Sequence, residues 1–194
     1  MPRPPRVDHE GAWHHVMNRG AGRSDIFNDD EDRACFLDCL HMASQPSEVD
    51  VHGYCLMRNH YHLLVFSRGG RLSAFMRLLA GRYTRLFNRR WHTDGPIFRG
   101  LYHSVSIESD AHLVATSRYI HLNPVMAGLV DEAERWIWSS AAQYLEPSNP
   151  ADWLHTSTIL DMFAGTGQGT RYREFLRDGI DEASSEFYAK LRWE

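Results

Sequence analysis

The sequence predicts an α+β protein: a ferredoxin-like antiparallel sheet with helices on one face, followed by a helical C-terminal extension. Three observations carry that prediction. Segments of strand and helix character follow in the order β-α-β-β-α-β-α, and the first six are the ferredoxin-like order. The two middle strands are joined by a tight turn at Arg58-Asn59, a connection open to antiparallel neighbours and closed to parallel ones. The chain has 194 residues, 43% apolar and 24% charged, which suits one packed domain with an appendage and excludes bulk disorder.

The elements follow in order. "WHHVMNRG", from Trp13, reads as the first strand and ends at the glycine-rich turn "GAGRS". "DDEDRACFLDCLHMAS" opens with acids in its first turn, and Ala34, Phe36, Leu37, Leu40 and Met42 fit the core face of a helix. "VDVHGYCLMRN" is the second strand and "HYHLLVFS" the third. "RLSAFMRLLAGRYTRLFNRRW" sets Leu72, Phe75, Met76, Leu79, Tyr83 and Phe87 at helical spacing, with arginines over much of the remaining surface. The "DGP" at Asp94 breaks it, and "IFRGLYHSVSI" is the fourth strand. "ESDAHLVATSRYIHLNPVMAGLV" begins with an acidic turn and runs as a helix to about Pro124. "WIWSSAAQYL" and a helical tail come last. The boundary falls in "YLEPSNP", giving a main domain over 1–146 and an extension over 147–194.

No apolar run approaches the roughly 20 residues that cross a bilayer. The opening "MPRPPRVDHEGAW" lacks the apolar stretch of a secretory signal. Cys35, Cys39 and Cys55 have no zinc-type CxxC spacing, and Cys35 and Cys39, four apart on one helix, suit packing better than a disulfide. A cytoplasmic protein with no membrane partner is the expectation. The formal charge of -4 argues weakly against a nucleic-acid partner, but the mean hides an asymmetry. From Arg68 to Arg99 eight arginines stand against one acid, Asp94, whereas Asp131, Glu132, Glu134, Glu146 and Asp152 lead an acidic tail.

The chemistry-bearing residues begin in "MRNHYHLLVF". On a strand, alternate side chains share a face, so His60 and His62 lie side by side and Tyr61 points the other way. Two adjacent imidazoles can ligate one divalent metal; the competing reading is a pair of hydrogen-bonded sheet histidines. In "RYIHLNP", Tyr119 and Asn123 are i,i+4 on one helix face. Tyr119 offers a phenolic oxygen that can act as a covalent nucleophile, and Asn123 a neutral oxygen that can complete a metal site. The competing reading is a packed tyrosine and a helix-ending Asn-Pro. His14 and His15 alternate on the first strand, so only one faces the site; they, His103 and His121 are read as non-ligands.

The pieces "MRNHYHLLV", "GPIFRGLYHS" and "RYIHLNPVMAGLV", with "WHHVMNRGAGRSDIFNDDEDRACFL" ahead of them, resemble the IS200-type tyrosine transposases. They resemble more closely the single-copy relatives, the REP-associated tyrosine transposases. The likeness runs from about Trp13 to Tyr144. It implies an HUH endonuclease fold in which His60 and His62 match the two metal-binding histidines, Asn123 the third ligand position and Tyr119 the nucleophile. It implies magnesium or manganese as cofactor and a DNA hairpin, of the repetitive palindrome type, beside the cut. Two departures stand out. Tyr61 replaces an aliphatic residue between the histidines, and its hydroxyl needs a partner. Met126 replaces an arginine and removes a charge close to the site.

A tyrosine has a reference pKa near 10, so roughly one phenol in a thousand is ionised at neutral pH and activation is needed. Attack by Tyr119 on a phosphodiester would leave a 5'-phosphotyrosine link and a free 3'-hydroxyl, so that cutting and rejoining are one reversible reaction without ATP. The partner is single-stranded or hairpin DNA. Arg71, Arg77, Arg82, Arg85, Arg89, Arg90 and Arg99 are expected along its backbone. Tyr102, Tyr83, Phe87 and Trp91 are the stacking candidates, with core packing the stronger reading for Tyr83 and Phe87. A monomer is favoured over a helix-exchanged dimer. The alternatives are a ferredoxin-like module that binds structured nucleic acid without cutting, and a metal-dependent phosphodiesterase in which Tyr119 is structural.

Overall fold

The computed structural model describes residues 8–146, 151–163 and 165–179. Strands β1 (Ala12–Arg19), β2 (Val49–Leu56), β3 (His60–Ser67) and β4 (His103–Ile107) form one sheet in the order β2-β3-β1-β4. All neighbours are antiparallel, which is the ferredoxin-like arrangement. The central strand β1 sets Met17 opposite His62 on one side and His103 on the other. The fourth strand is shorter than expected. Residues 97–99 instead fold back on the turn after β1: Ala21 N donates to Ile97 O and Arg99 N to Arg19 O, each at 2.9 Å. That turn needs Gly20, because a Cβ there would meet the Ser24 carbonyl oxygen at 1.9 Å.

Helices α1 (Asp30–Ser47) and α2 (Leu72–Trp91) lie together on one face of the sheet. Strand alternation explains their seat. Tyr61, Leu63 and Val65 of β3 join Phe36, Leu40, Phe75, Leu79 and Tyr83 in one core. Asp29 caps α1 by accepting from Asp32 N at 3.1 Å. Met42 and Ala34 are corrections: both are exposed on the solvent face of α1, off the buried stripe of Phe36, Leu40 and Ala43.

Helix α3 (Asp110–Met126) covers the opposite face, so helices flank both sides of the sheet. Leu64 of β3 packs there with Leu113, Tyr119 and Ile120 in a second core. The helix does not stop before Pro124. A proline removes its own N–H, here the one that would serve the Ile120 carbonyl, and its ring crowds that carbonyl, yet the helix continues to Met126. Ala127 N still donates to Asn123 O at 3.0 Å.

The end of the main domain and the described part of the extension pack behind α3. The short helix α4 (Ala141–Leu145) of the former, and α5 (Ser157–Leu160) and the longer α6 (Gln168–Asp178) of the latter, contribute Tyr144, Leu160, Tyr172 and Leu176 to the second core. Gly169 lets α6 approach α4 closely, since a Cβ there would sit 2.6 Å from Leu145 O. A buried polar network ties these helices together: His121 Nδ1 meets the Tyr172 hydroxyl and Nε2 meets Ser140 Oγ, each at 2.7 Å. Among the described residues no helix is long and apolar enough to cross a membrane.

Candidate active site

The first residues of β3 and the last turns of α3 meet at one cavity of about 330 Å³. His60, His62, Tyr119 and Asn123 all line it, within a single chain. The strand period brings the two histidines to this face, their rings 5.2 Å apart and perpendicular. The Tyr119 ring lies edge-on to His62 at 5.4 Å between centroids. Asn123 is half-buried, and its amide nitrogen donates to the Tyr119 carbonyl at 2.8 Å. This bond uses the carboxamide's donor end and leaves its oxygen as an acceptor. It also couples the two i,i+4 residues that share the helix face.

Burial governs the histidines. Desolvation lowers His60 to about 4. It lowers His62 well below the usual histidine range, with His15 and His60 adding to the effect. Both rings are therefore neutral at physiological pH, the form in which imidazole ligates metals. Among the described residues no group of three or more His, Cys, Asp or Glu side chains could hold a metal ion. The neutral donors lining the cavity are the His60 and His62 imidazoles and the carboxamides of Asn18, Asn59 and Asn123.

Four residues at or beside the cavity were not singled out from the sequence as site residues. His15, on β1, is the first-strand histidine that faces the site; its Nε2 lies 3.0 Å from His62 Nδ1 and its ring 5.5 Å from that of Tyr119. Asn59 accepts from His60 Nδ1 at 2.8 Å. Arg19 and Arg23 line the cavity and, with Arg99, an open depression beside it. Strand alternation from His62 through the β1 pairing was the signal for His15; the arginines gave none, because they stand outside the basic run. His14, His103 and His121 do not line the cavity. His14 faces the other way, toward Ser104 Oγ at 3.2 Å.

The expected DNA-contacting set is mostly not brought to the cavity. Arg71, Arg77, Arg82, Arg85, Arg89 and Arg90 belong to α2 or its start, across the sheet from α3. Arg90 is held in ion pairs with Asp29, Asp32 and Glu31 at 2.5–2.7 Å, and its hydrogen bonds lower Asp29 to about 2. Arg71 pairs with Glu48 at 3.5 Å. Arg77, Arg82, Arg85 and Arg89 are exposed on the outer surface of α2. Tyr102 is 6% exposed, packs in the first core and meets Ser73 Oγ at 3.1 Å, so its ring offers no open face. Tyr83 and Phe87 are core residues as well. Of the expected arginines only Arg99 adjoins the cavity.

The two departures also find their places. Met126 lines the cavity. Tyr61 is fully buried in the first core, and among the described residues its hydroxyl has no partner in hydrogen-bond geometry. Burial pushes that phenol far above its ordinary range, with the Asn18 side chain opposing.

The fold has a close solved counterpart in a REP-associated tyrosine transposase bound to a REP hairpin. The TM-score is 0.66 at 16% identity, over 86% of this chain and 96% of that one. A putative transposase from Deinococcus radiodurans aligns more loosely, with a TM-score of 0.43 at 14% identity over 77% of this chain and 100% of its own. A search of curated proteins finds no match. The profile of the family described as "Transposase IS200 like" matches residues 9–123, more than half of the chain. The chain belongs to the IS200-like transposase family.

Proposed function

We propose that this transposase nicks and rejoins single-stranded DNA beside a hairpin, with Tyr119 as the nucleophile. The observation that carries the reading is the meeting of Tyr119, His60, His62 and Asn123 at one cavity of one chain. Tyr119 Oη attacks the scissile phosphorus and gives up its proton; an O–P bond forms, the bond from phosphorus to the 3'-oxygen breaks, and that oxygen leaves as a protonated hydroxyl. The product is a 5'-phosphotyrosine, and attack by a 3'-hydroxyl reverses the step. The residues fit a divalent cation, magnesium or manganese, through the His60 and His62 imidazoles and the Asn123 carboxamide oxygen. When bound, such an ion supplies Lewis-acid stabilisation of charge on the phosphoryl oxygens. Neutral protein ligands leave the cation's double charge intact for that task. Tyr119 is 2% exposed and its ring sits T-shaped to that of His62 at the cavity, which keeps bulk water from the phenol. Arg19, Arg23 and Arg99 rim the approach and would take neighbouring phosphates.

The solved counterpart's hairpin is the basis for proposing a folded DNA partner. The His121 network ties α3 to its own chain's α4 and α6, which supports a monomer acting in cis. The test is incubation with a labelled hairpin oligonucleotide and manganese, followed by denaturing electrophoresis. The wild type is expected to give a denaturant-resistant protein–DNA adduct and Tyr119→Phe none, with binding retained. Binding without any adduct would favour a non-cutting module. Normal cutting by Tyr119→Phe would favour a hydrolytic phosphodiesterase.

A further inference from the structure

A histidine ligates through a lone pair, so which nitrogen carries the hydrogen decides whether it can ligate at all. Both cavity histidines have Nδ1 engaged, and among the described residues neither Nε2 takes a hydrogen bond. At His60 the assignment is forced. The Asn59 amide nitrogen donates to the Arg23 carbonyl at 3.1 Å, which turns the Asn59 oxygen toward His60 Nδ1, 2.8 Å away. A carbonyl oxygen only accepts, so His60 carries its hydrogen on Nδ1 and its lone pair on Nε2.

At His62 there are two choices, because its Nδ1 faces His15 Nε2 at 3.0 Å and one of them must donate. If His15 donates, His62 holds its hydrogen on Nε2 and is useless as a ligand. If His62 donates, its Nε2 lone pair is left for the cavity. His15 is fully buried, and its far nitrogen, Nδ1, makes no hydrogen bond among the described residues. Either form of His15 therefore leaves one unsatisfied group at that nitrogen, and His15 gives the pair little reason to prefer one arrangement. The choice then falls to the His62 side, where a lone pair on Nε2 would face the cavity that His60 and Asn123 also line.

We propose that Asn59 and His15 are positioning residues that hold His60 and His62 with hydrogen on Nδ1, presenting both Nε2 lone pairs to a divalent cation. The proposal rests on the metal reading above and deepens it: outer partners commonly fix the tautomer of ligating histidines. Asn59 does more than this. Its one carboxamide spans from His60 to the backbone of Arg23, so the arginine rim and a ligand are held in register.

The test is two-bond nitrogen–proton NMR of imidazole-labelled, metal-free protein, paired with manganese titration followed by electron paramagnetic resonance. In the wild type both His60 and His62 are expected in the Nδ1–H form, the one less favoured by free histidine in water. Asn59→Ala is expected to release His60 and His15→Phe to release His62 toward the Nε2–H form, each weakening manganese binding about 10- to 100-fold. His15→Gln keeps an acceptor and is expected to retain the His62 form and wild-type affinity within about threefold. Unchanged His121 signals confirm an intact fold in every variant. A His62 with hydrogen on Nε2 in the wild type, or tautomers indifferent to the substitutions, would overturn the proposal. Tautomers as expected in a wild type that binds no manganese would overturn the metal reading itself.

Discussion

Helix α3 has histidines on two sides, its own His121 behind and His60 and His62 of β3 in front, and the two sides are built differently. Behind it, His121 has both ring nitrogens in use, with Tyr172 and Ser140, and Ser117 closes the network. In front of it, His60 and His62 each use one nitrogen and keep the other for a cavity. Burial alone does not tell the sides apart, because it lowers His121 to about 3 and His60 to about 4. What separates them is whether the protein has spent both nitrogens. A satisfied histidine specifies packing, whereas one with an open lone pair facing a cavity is equipped for chemistry.

The largest effect should come from the front. His62→Ala or His60→Ala removes a candidate ligand, and a metal contribution of several kcal/mol corresponds to a loss of roughly 10²- to 10⁴-fold in cleavage rate. Thermal unfolding should show the fold retained. Behind the helix the pattern should invert. His121→Leu removes two buried hydrogen bonds, while Tyr172 keeps Ser117 and Ser140 keeps the Tyr54 backbone, at a cost of about 1 to 3 kcal/mol in urea unfolding. Manganese affinity should stay within about threefold. A folded His121→Leu that no longer binds manganese would break the comparison.

Acid acts on both sides at once. His15, His52, His60 and His121 are lowered by burial to about 3, 3, 4 and 3. The unfolded chain takes up protons on these groups below its ordinary pKa of about 6.5, and the folded chain does not until far lower. Their stabilising contribution is therefore full above pH 6.5 and declines as pH falls, by roughly 1.4 kcal/mol per unit for each histidine. Stability measured between pH 6 and pH 4.5 should show about three or more protons taken up on unfolding, and His121→Leu should remove about one. An uptake of less than one would contradict the assignment of buried neutral rings.

Smaller effects separate the two arginine groups. Arg23→Gln and Arg99→Gln should weaken single-strand binding several-fold and reduce the salt slope by about 0.7 for each lost phosphate contact. Arg77→Gln and Arg85→Gln, across the sheet, should change neither. The smallest effect is expected at Tyr61. Tyr61→Phe removes a buried hydroxyl that, among the described residues, has no partner in hydrogen-bond geometry and only the Asn18 side chain nearby, so stability should be unchanged or rise by up to about 1 kcal/mol.

Period and order carried much of the fold in the sequence. The two-residue repeat of "HYHLLVFS" put His60 and His62 on one face, and the i,i+4 spacing put Tyr119 with Asn123. The meeting of those pairs is long-range, and it was legible through the resemblance to the IS200-type transposases. The basic run lies away from the cavity; charge density along a chain does not say which layer a helix joins. Its apolar stripe took α2 to the face opposite α3, and Arg90 went to an acidic helix start instead of to solvent. The Arg19–Arg23–Arg99 rim was hidden because backbone pairing between residues 19–21 and 97–99 assembles it from distant segments. Helix α3 ends within two residues of its expected end near Pro124, and it keeps Asn123 in its last turn beside Tyr119.

The central claim is tested most directly by isolating the protein–DNA adduct, digesting it with protease and nuclease, and locating the retained nucleotide by mass spectrometry. The account predicts a nucleotide joined through phosphate to the Tyr119 peptide. A nucleotide on any other residue, or cleaved DNA with no protein-linked product, would contradict it.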